Sequence, residues 1–242
     1  MKVSVIIPCW VTTAETLNLT QLAIESLPES HLIIVDNAST LGAGYLRSVA
    51  DTYVREKTNY GYARAVNDGI VLARTPYICI SNNDIRVPKN IFSVALEIFK
   101  DKSIGSVHFY EIFYDAPFYN GDKVWKTGKE RWCTSSFFIL RSRALKDCGL
   151  YDEKFDGRGT YDDYDFWHRF RHINGWKTAY TTKAQYQHWG SHSFQVRGQK
   201  QREKYDEINR QYFISKWGKD PDTLFSKIYP KQWQINYADG FK

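Results

Sequence analysis

Short apolar runs at Lys2 to Ile7, His31 to Val35 and Tyr77 to Ile80, each followed by polar residues and then by helical periodicity, constrain this chain more than any other feature. Continuous apolar runs of this length suit strands covered on both faces, as in a parallel sheet. The first run leads through Pro8-Cys9-Trp10, read as a loop, into a helix whose start is marked by the capping-box pattern Thr12-x-x-Glu15. The second stops at Asp36-Asn37-Ala38-Ser39, and Tyr53-Val54-Arg55 reads as a short third strand. Ala63, Val66, Ile70 and Ala73 recur at helical spacing before Thr75-Pro76 interrupts them, and the Tyr77 strand ends in Ser81-Asn82-Asn83-Asp84. Pro88 stands near the start of a further helix with Ile91, Val94, Ala95 and Ile98 on one face. This alternation predicts an open, mostly parallel α/β sheet with helices on both faces, and ligands at the strand C-terminal ends.

Beyond residue 103 the apolar pieces shorten and carry many aromatics, as in Val107 to Tyr114 and Ser135 to Leu140, which reads as mixed strand and loop. A polar helix is expected from Asp163 to Asn174, capped by Gly175. The last clear element runs from Gln199 to Trp217, with Tyr205, Ile208, Tyr212 and Phe213 on one face and Gly218 at its end. No repeat or low-complexity linker separates the halves, so residues 1–242 read as one domain. Cys9, Cys79, Cys133 and Cys148 form no C-x-x-C pair, and with no secretory signal in view they suggest a reducing, cytoplasmic setting. No apolar run reaches the roughly 18 residues needed to span a bilayer. The net charge of +6 and pI near 9.0 favour anionic partners: a nucleotide diphosphate, a nucleic acid or, through the basic residues after Phe194, a membrane surface touched peripherally. A solvated basic face explains that tail equally well.

Six groups of residues carry candidate chemistry. Asp84, just past a buried strand and beside Asn82 and Asn83, is placed to hold a hard divalent cation against phosphate oxygens; the competing reading is a strand-ending turn. Asp36 ends its strand in the same way, where it suits a base imide or ribose hydroxyl or else an Asx turn. Asn59, Gly61 and Arg64 open a helix whose N-terminus can face an anion, although a solvated helix Arg is commoner. The run Asp162-Asp163-Tyr164-Asp165 crowds three carboxylates, which repel unless a helix start, a cation or a general-base role compensates. His188, or else His192, completes a metal site with Asp84 in the functional reading. Trp125, Trp132, Trp167, Trp176 and Trp189 offer rings for stacking on sugars or bases, or for the core.

Taken in order, Val3-Ser4-Val5-Ile6-Ile7-Pro8, Ile34-Val35-Asp36-Asn37-Ala38-Ser39, Asn59-x-Gly61-x-Ala63-x-Ala65-x-Asn67 and Ser81-Asn82-Asn83-Asp84 resemble the GT-A glycosyltransferases of family 2, especially the rhamnosyltransferase-like branch. Gly149-x-x-Asp152-Glu153-x-Phe155, Asp162-Asp163-x-Asp165 and His188-x-Gly190-Ser191 continue the likeness, which covers residues 3 to 192. The resemblance implies a Rossmann-like sheet with a nucleotide-sugar half over 1–102, a mixed acceptor and catalytic half over 103–195, and a C-terminal helix and tail over 196–242. It further implies that Pro8 and Asp36 border the nucleoside and that Asn82 and Asp84 stand where the family's D-x-D lies. Asp84 and His188 would then ligate Mn²⁺ or Mg²⁺. Asp163 would be the general base of an inverting transfer from a nucleotide-sugar donor to a glycan or glycoconjugate, with no nucleic acid involved.

Two departures stand out. Asn82 replaces the first Asp of D-x-D, lowering the site's charge, and Asp162 replaces the usual Glu, which keeps Asp162 as an alternative base. A nucleotidyltransferase would want a Gly-rich phosphate loop after the first strand, which Pro8-Cys9-Trp10-Val11-Thr12 lacks. A non-catalytic nucleic-acid or carbohydrate-binding module is the other alternative.

Overall fold

The computed structural model describes residues 2–113, 121–127, 135–155, 160–190 and 199–221. Strands β1 (Val3–Cys9), β2 (His31–Asp36), β3 (Thr52–Arg55) and β4 (Tyr77–Ser81) lie side by side in the order β3-β2-β1-β4, all parallel. The sheet continues through β8 (Phe137–Arg141), β6 (Ile104–Phe113), β9 (Lys177–His188) and β5 (Ile85–Arg86), with β7 (Val124–Thr127) also paired to β9. In this second half β8 runs antiparallel to both β4 and β6, while β9 runs parallel to β6. The expected architecture is therefore present: a parallel half joined to a mixed half.

Side-chain alternation sorts the core onto two faces. Val3, Val5, Ile7 and Cys9 of β1 pack toward α1 (Ala14–Ser26), α2 (Ala43–Val49) and α4 (Ile91–Ile98), which contribute Ala23, Leu46, Ile91 and Phe92. On the opposite face Ile6 joins Ile33, Ile80 and Phe138 beneath α3 (Tyr62–Leu72), α5 (Ser142–Cys148) and α6 (Asp162–His168). At Gly69 of α3 an added Cβ would stand 2.3 Å from Ile6 Cγ2, so the absence of a side chain lets that helix lie close on the central strand.

Several local expectations change. Pro8 and Cys9 belong to β1 rather than to a loop, because the ladder to β4 ends at Ile6 while the pairing with β2 runs on to Cys9. The helix cap is Thr13, one residue later than expected, and Thr16 in place of Glu15 closes the reciprocal capping box. The helix expected to be polar is α6, which continues as a π-helical turn over Arg169–Ile173, and it is a core element: Asp165, Phe166, Trp167 and Phe170 are fully buried. The C-terminal helix α7 (Gln199–Trp217) has the expected length but buries Asn209 and Phe213, while Ile208 is exposed. Strands β5, β7 and β9 and helices α2 and α5 have no counterpart in the sequence reading. Among the described residues, no helix is long and apolar enough to cross a membrane.

Candidate active site

The parallel strands β1, β2 and β4 end along one edge of the sheet, which also receives the start of β8 and the ends of β6 and β9. This edge is where ligands sit in open α/β sheets. Between Phe109 and Tyr110 the β9 partner jumps from Thr181 to Gln185, and this irregularity resets the register that brings the end of β9 beside Phe113. His188 then pairs with Ile85 of β5 on its other side, immediately after Asp84.

As a result Asp84 and His188, far apart in sequence, meet. His188 Nε2 lies 3.3 Å from Asp84 Oδ1, close enough for an ion pair but not aligned as a hydrogen bond, and the Trp189 amide donates to the Asp84 carbonyl at 3.0 Å. On the other side of the ring, Nδ1 is 2.6 Å from Glu111 Oε1. Glu111 Oε2 accepts from the Tyr186 hydroxyl at 2.7 Å and from Ser136 at 3.2 Å. Burial opposes charge on His188, but Asp84 and Glu111 outweigh it and push its pKa up to about 10. Glu111 is not legible in the sequence, because a lone Glu in the aromatic run Val107 to Tyr114 gives no signal of its own.

The acid pair opens α6. Tyr161, its N-cap, is a non-glycine residue in the left-handed region at φ 78°, a conformation that costs about 1 kcal/mol or more and that concentrates at functional sites. Asp162 Oδ1 accepts the Asp163 amide at 3.0 Å and Asp163 Oδ1 accepts the Tyr164 amide at 2.9 Å. Burial and the neighbouring Asp163 charge push Asp162 up to about 7; burial pushes Asp163 up to about 6 despite a hydrogen bond from Ser135. Tyr62, at the start of α3, reaches the Ser135 carbonyl at 3.4 Å, and burial together with the charges of Asp162, Asp163 and Asp84 drives its phenol well above the ordinary range. The Tyr62 ring thus sits within electrostatic reach of both the acid pair and Asp84.

Asp165 has a different task. It is fully buried and accepts from Arg169 Nε at 2.9 Å and from Trp217 Nε1 at 2.9 Å, with Lys216 Nζ 2.7 Å away. Lys216 also reaches Asp152 at 2.6 Å, and Asp206 of α7 accepts from the Thr160 amide and hydroxyl at 2.8 and 2.9 Å. The third carboxylate of the run therefore clamps α7 onto the acid helix.

The remaining candidates sit at the same edge with mostly structural partners. Asp36 is fully buried: Oδ1 accepts the Ser39 amide at 2.8 Å, and Oδ2 accepts from Tyr53 at 2.6 Å and from Arg55. Its carboxylate thus forms the Asx-type turn, with both oxygens held by the chain's own donors. Asn37, in the polar cluster that follows β2, donates to Asn59 Oδ1 at 2.9 Å and to the Gly61 carbonyl at 3.0 Å, and Asn59 Oδ1 also accepts the Gly61 amide. Arg64 pairs with Asp68 and Glu153, so it is a surface helix arginine in this arrangement. Asn83 donates to Thr20, the Asn82 amide donates to the Ser136 carbonyl, and Pro8 lies beside Val35 at the end of β1. Trp167 is core, and Trp176 packs against the core while donating to Asp147. His192, Trp132, Cys133, the side chain of Trp125 and the tail after residue 221 lie outside the described residues.

A family profile described as Glycosyl transferase family 2 matches residues 4–153, more than half of the chain. No curated protein sequence matches. Among solved structures, TarS from S. aureus superposes at TM-score 0.64 and 16% identity, over 79% of this chain but only 37% of TarS. Its 1–349 piece aligns with all of this chain and 74% of that piece, at 14% identity and TM-score 0.64. The mannosyltransferase PcManGT from Pyrobaculum calidifontis follows at 15% identity and TM-score 0.58, over 81% of this chain and 60% of that one. GalNAc-T7 gives 16% and 0.59, over 77% and 43%. Identities this low speak to the fold alone, which is GT-A; the profile gives the family, so the chain belongs to glycosyl transferase family 2.

Proposed function

We propose that the chain is an inverting glycosyltransferase that moves a sugar from a UDP-, dTDP- or GDP-sugar to a hydroxyl of a glycan or glycoconjugate, with Asp163 as general base. The observation that carries the reading is the convergence of Asp84 and His188 to 3.3 Å on the edge that also holds the acid pair. Solved neighbours support it in kind: TarS 1–349 was crystallised with UDP-GlcNAc and with UDP, PcManGT with GDP-Man and Mn²⁺, and GalNAc-T7 with UDP, GalNAc and Mn²⁺.

The residues present fit Mn²⁺ or Mg²⁺. Buried Nε2 of His188 has no aligned hydrogen-bond partner, and its 3.3 Å separation from a carboxylate oxygen is close to the ~3 Å between adjacent ligands of an octahedral ion. The carboxylate suits either ion, and the imidazole nitrogen favours Mn²⁺ over the harder Mg²⁺, whose ligands are oxygens. Among the described residues no three His, Cys, Asp or Glu side chains are arranged to hold an ion by themselves, so the rest of its ligands would come from the donor diphosphate and water. Bound there, the ion stabilises negative charge on the departing nucleoside diphosphate. Asp163 takes the proton from the acceptor hydroxyl as that oxygen bonds to the anomeric carbon and the bond to the diphosphate breaks, which inverts the centre. Asp162, one residue away and also raised in pKa, is the alternative acceptor of that proton.

A thermal-shift screen of UDP-, GDP- and dTDP-sugars with and without Mn²⁺ tests the reading, because a ligand that binds the folded state raises its apparent stability. At least one donor is expected to raise the melting temperature with Mn²⁺ and to do so less for Asp84→Ala. Indifference to all of them, together with salt-dependent binding of nucleic acid, would move the assignment to a binding module.

A further inference from the structure

We infer that Glu111 is a positioning residue: its carboxylate holds the Nδ1 side of His188 and so turns Nε2 toward the cation position shared with Asp84. This rests on the reading of Asp84 and His188 as the cation site. The placement follows from the sheet. Glu111 stands opposite Tyr186 in the β6–β9 register, and Tyr186 and His188 are two residues apart on one strand and hence on one face. Glu111 Oε1 meets His188 Nδ1 at 2.6 Å, while Oε2 is fixed by the Tyr186 hydroxyl at 2.7 Å and Ser136 at 3.2 Å. The Glu111 side chain is 9% exposed, so water competes little for these bonds. Ser136 also accepts the Asn82 amide through its carbonyl at 2.7 Å, which ties this support to the loop that carries Asp84.

A histidine that ligates through one nitrogen usually donates through the other to a carboxylate or carbonyl, and that bond selects the tautomer and the ring angle. Glu111 is built for this role. The alternative, a buried pair present only for stability, has weak general support, since such pairs contribute little net stabilisation.

The test uses the full chain with UDP and Mg²⁺ for ring-nitrogen NMR of His188, and with UDP and Mn²⁺ for metal affinity by electron paramagnetic resonance. In the Mg²⁺-loaded wild type, Nδ1 is expected to carry the proton and Nε2 none; a proton on Nε2 overturns the inference without recourse to any variant. Glu111→Gln preserves shape, and Glu111→Ala removes the acceptor; the Ala variant is expected to bind Mn²⁺ about 10- to 100-fold more weakly, with Gln in between. If Mn²⁺ binds the wild type with no loss in Asp84→Asn or His188→Ala, the cation site itself falls, and this inference with it. If those two variants lose Mn²⁺ while Glu111→Gln and a folded Glu111→Ala retain wild-type affinity and tautomer, Glu111 alone is wrongly assigned.

Discussion

Two adjacent carboxylates at the start of α6 keep their protons to higher pH than ordinary aspartates, because burial disfavours their charge and Asp163 adds repulsion on Asp162. A base that must be ionised to act then gives a transfer rate that rises with pH across about 6 to 7, and the two groups share the titration. The kcat profile checks this; a midpoint near 4 would show an unperturbed base. The same shifts bear on stability. Folded-state values above the unfolded ~3.9 mean that the contribution is fully present below pH about 4 and is lost as pH climbs through the folded values. Asp163→Asn, which removes one of the two charges, is therefore expected to melt above the wild type at pH 8 and close to it at pH 4. Melting curves at the two pH values decide the sign. Asp165, two residues on, follows other rules: its charge is matched by Arg169 and Lys216, so Asp165→Asn is expected to destabilise at neutral pH.

At the scale of elements, α6 carries the acid pair and α7 holds α6 in place. Asp206 accepts two hydrogen bonds from Thr160, Asn209 donates to the Thr160 carbonyl at 2.8 Å, and Trp217 packs on His168. Asp206→Ala loosens the approach to Tyr161 and the acids without touching the β1, β2 and β4 ends. It is expected to lower kcat several-fold and leave nucleotide affinity unchanged; an equal loss in both would place α7 at the donor instead. The elements differ in how far the chain alone reveals them. β1, β2 and β4 are apolar runs buried on both faces, and the helix cued by Pro88 and Gly69-bearing α3 have clear periodicity, so they read directly. β9 does not, because Thr178, Thr181, Thr182, Gln185 and Gln187 are polar yet buried, their bonds made only once the strand is in the sheet. α6 misleads for a related reason: Asp165, His168 and Arg171 look like a solvated face but lie inside. Among the proposed site residues, Asp84, His188 and the acid pair emerge from order and spacing, whereas Glu111 becomes visible only through the register that joins distant segments.

For the whole molecule, one sheet edge gathers the ends of β1, β2, β4, β6 and β9 and the start of β8, and the acid helix lies against it through Ser135. The parallel half supplies the loops where a nucleotide sits in folds of this kind, and the mixed half supplies Glu111, His188 and the acid pair Asp162 and Asp163. Asp163 is proposed to drive an inverting displacement at this edge. That role is tested most directly by proton NMR of nucleotide-sugar hydrolysis, water standing in for the acceptor, with Mn²⁺ present and the wild type beside Asp163→Asn. The first sugar released by the wild type is expected to have the opposite anomeric configuration to the donor, and Asp163→Asn to slow release by about 100-fold or more. Release with retained configuration, or undiminished release by Asp163→Asn, would contradict it.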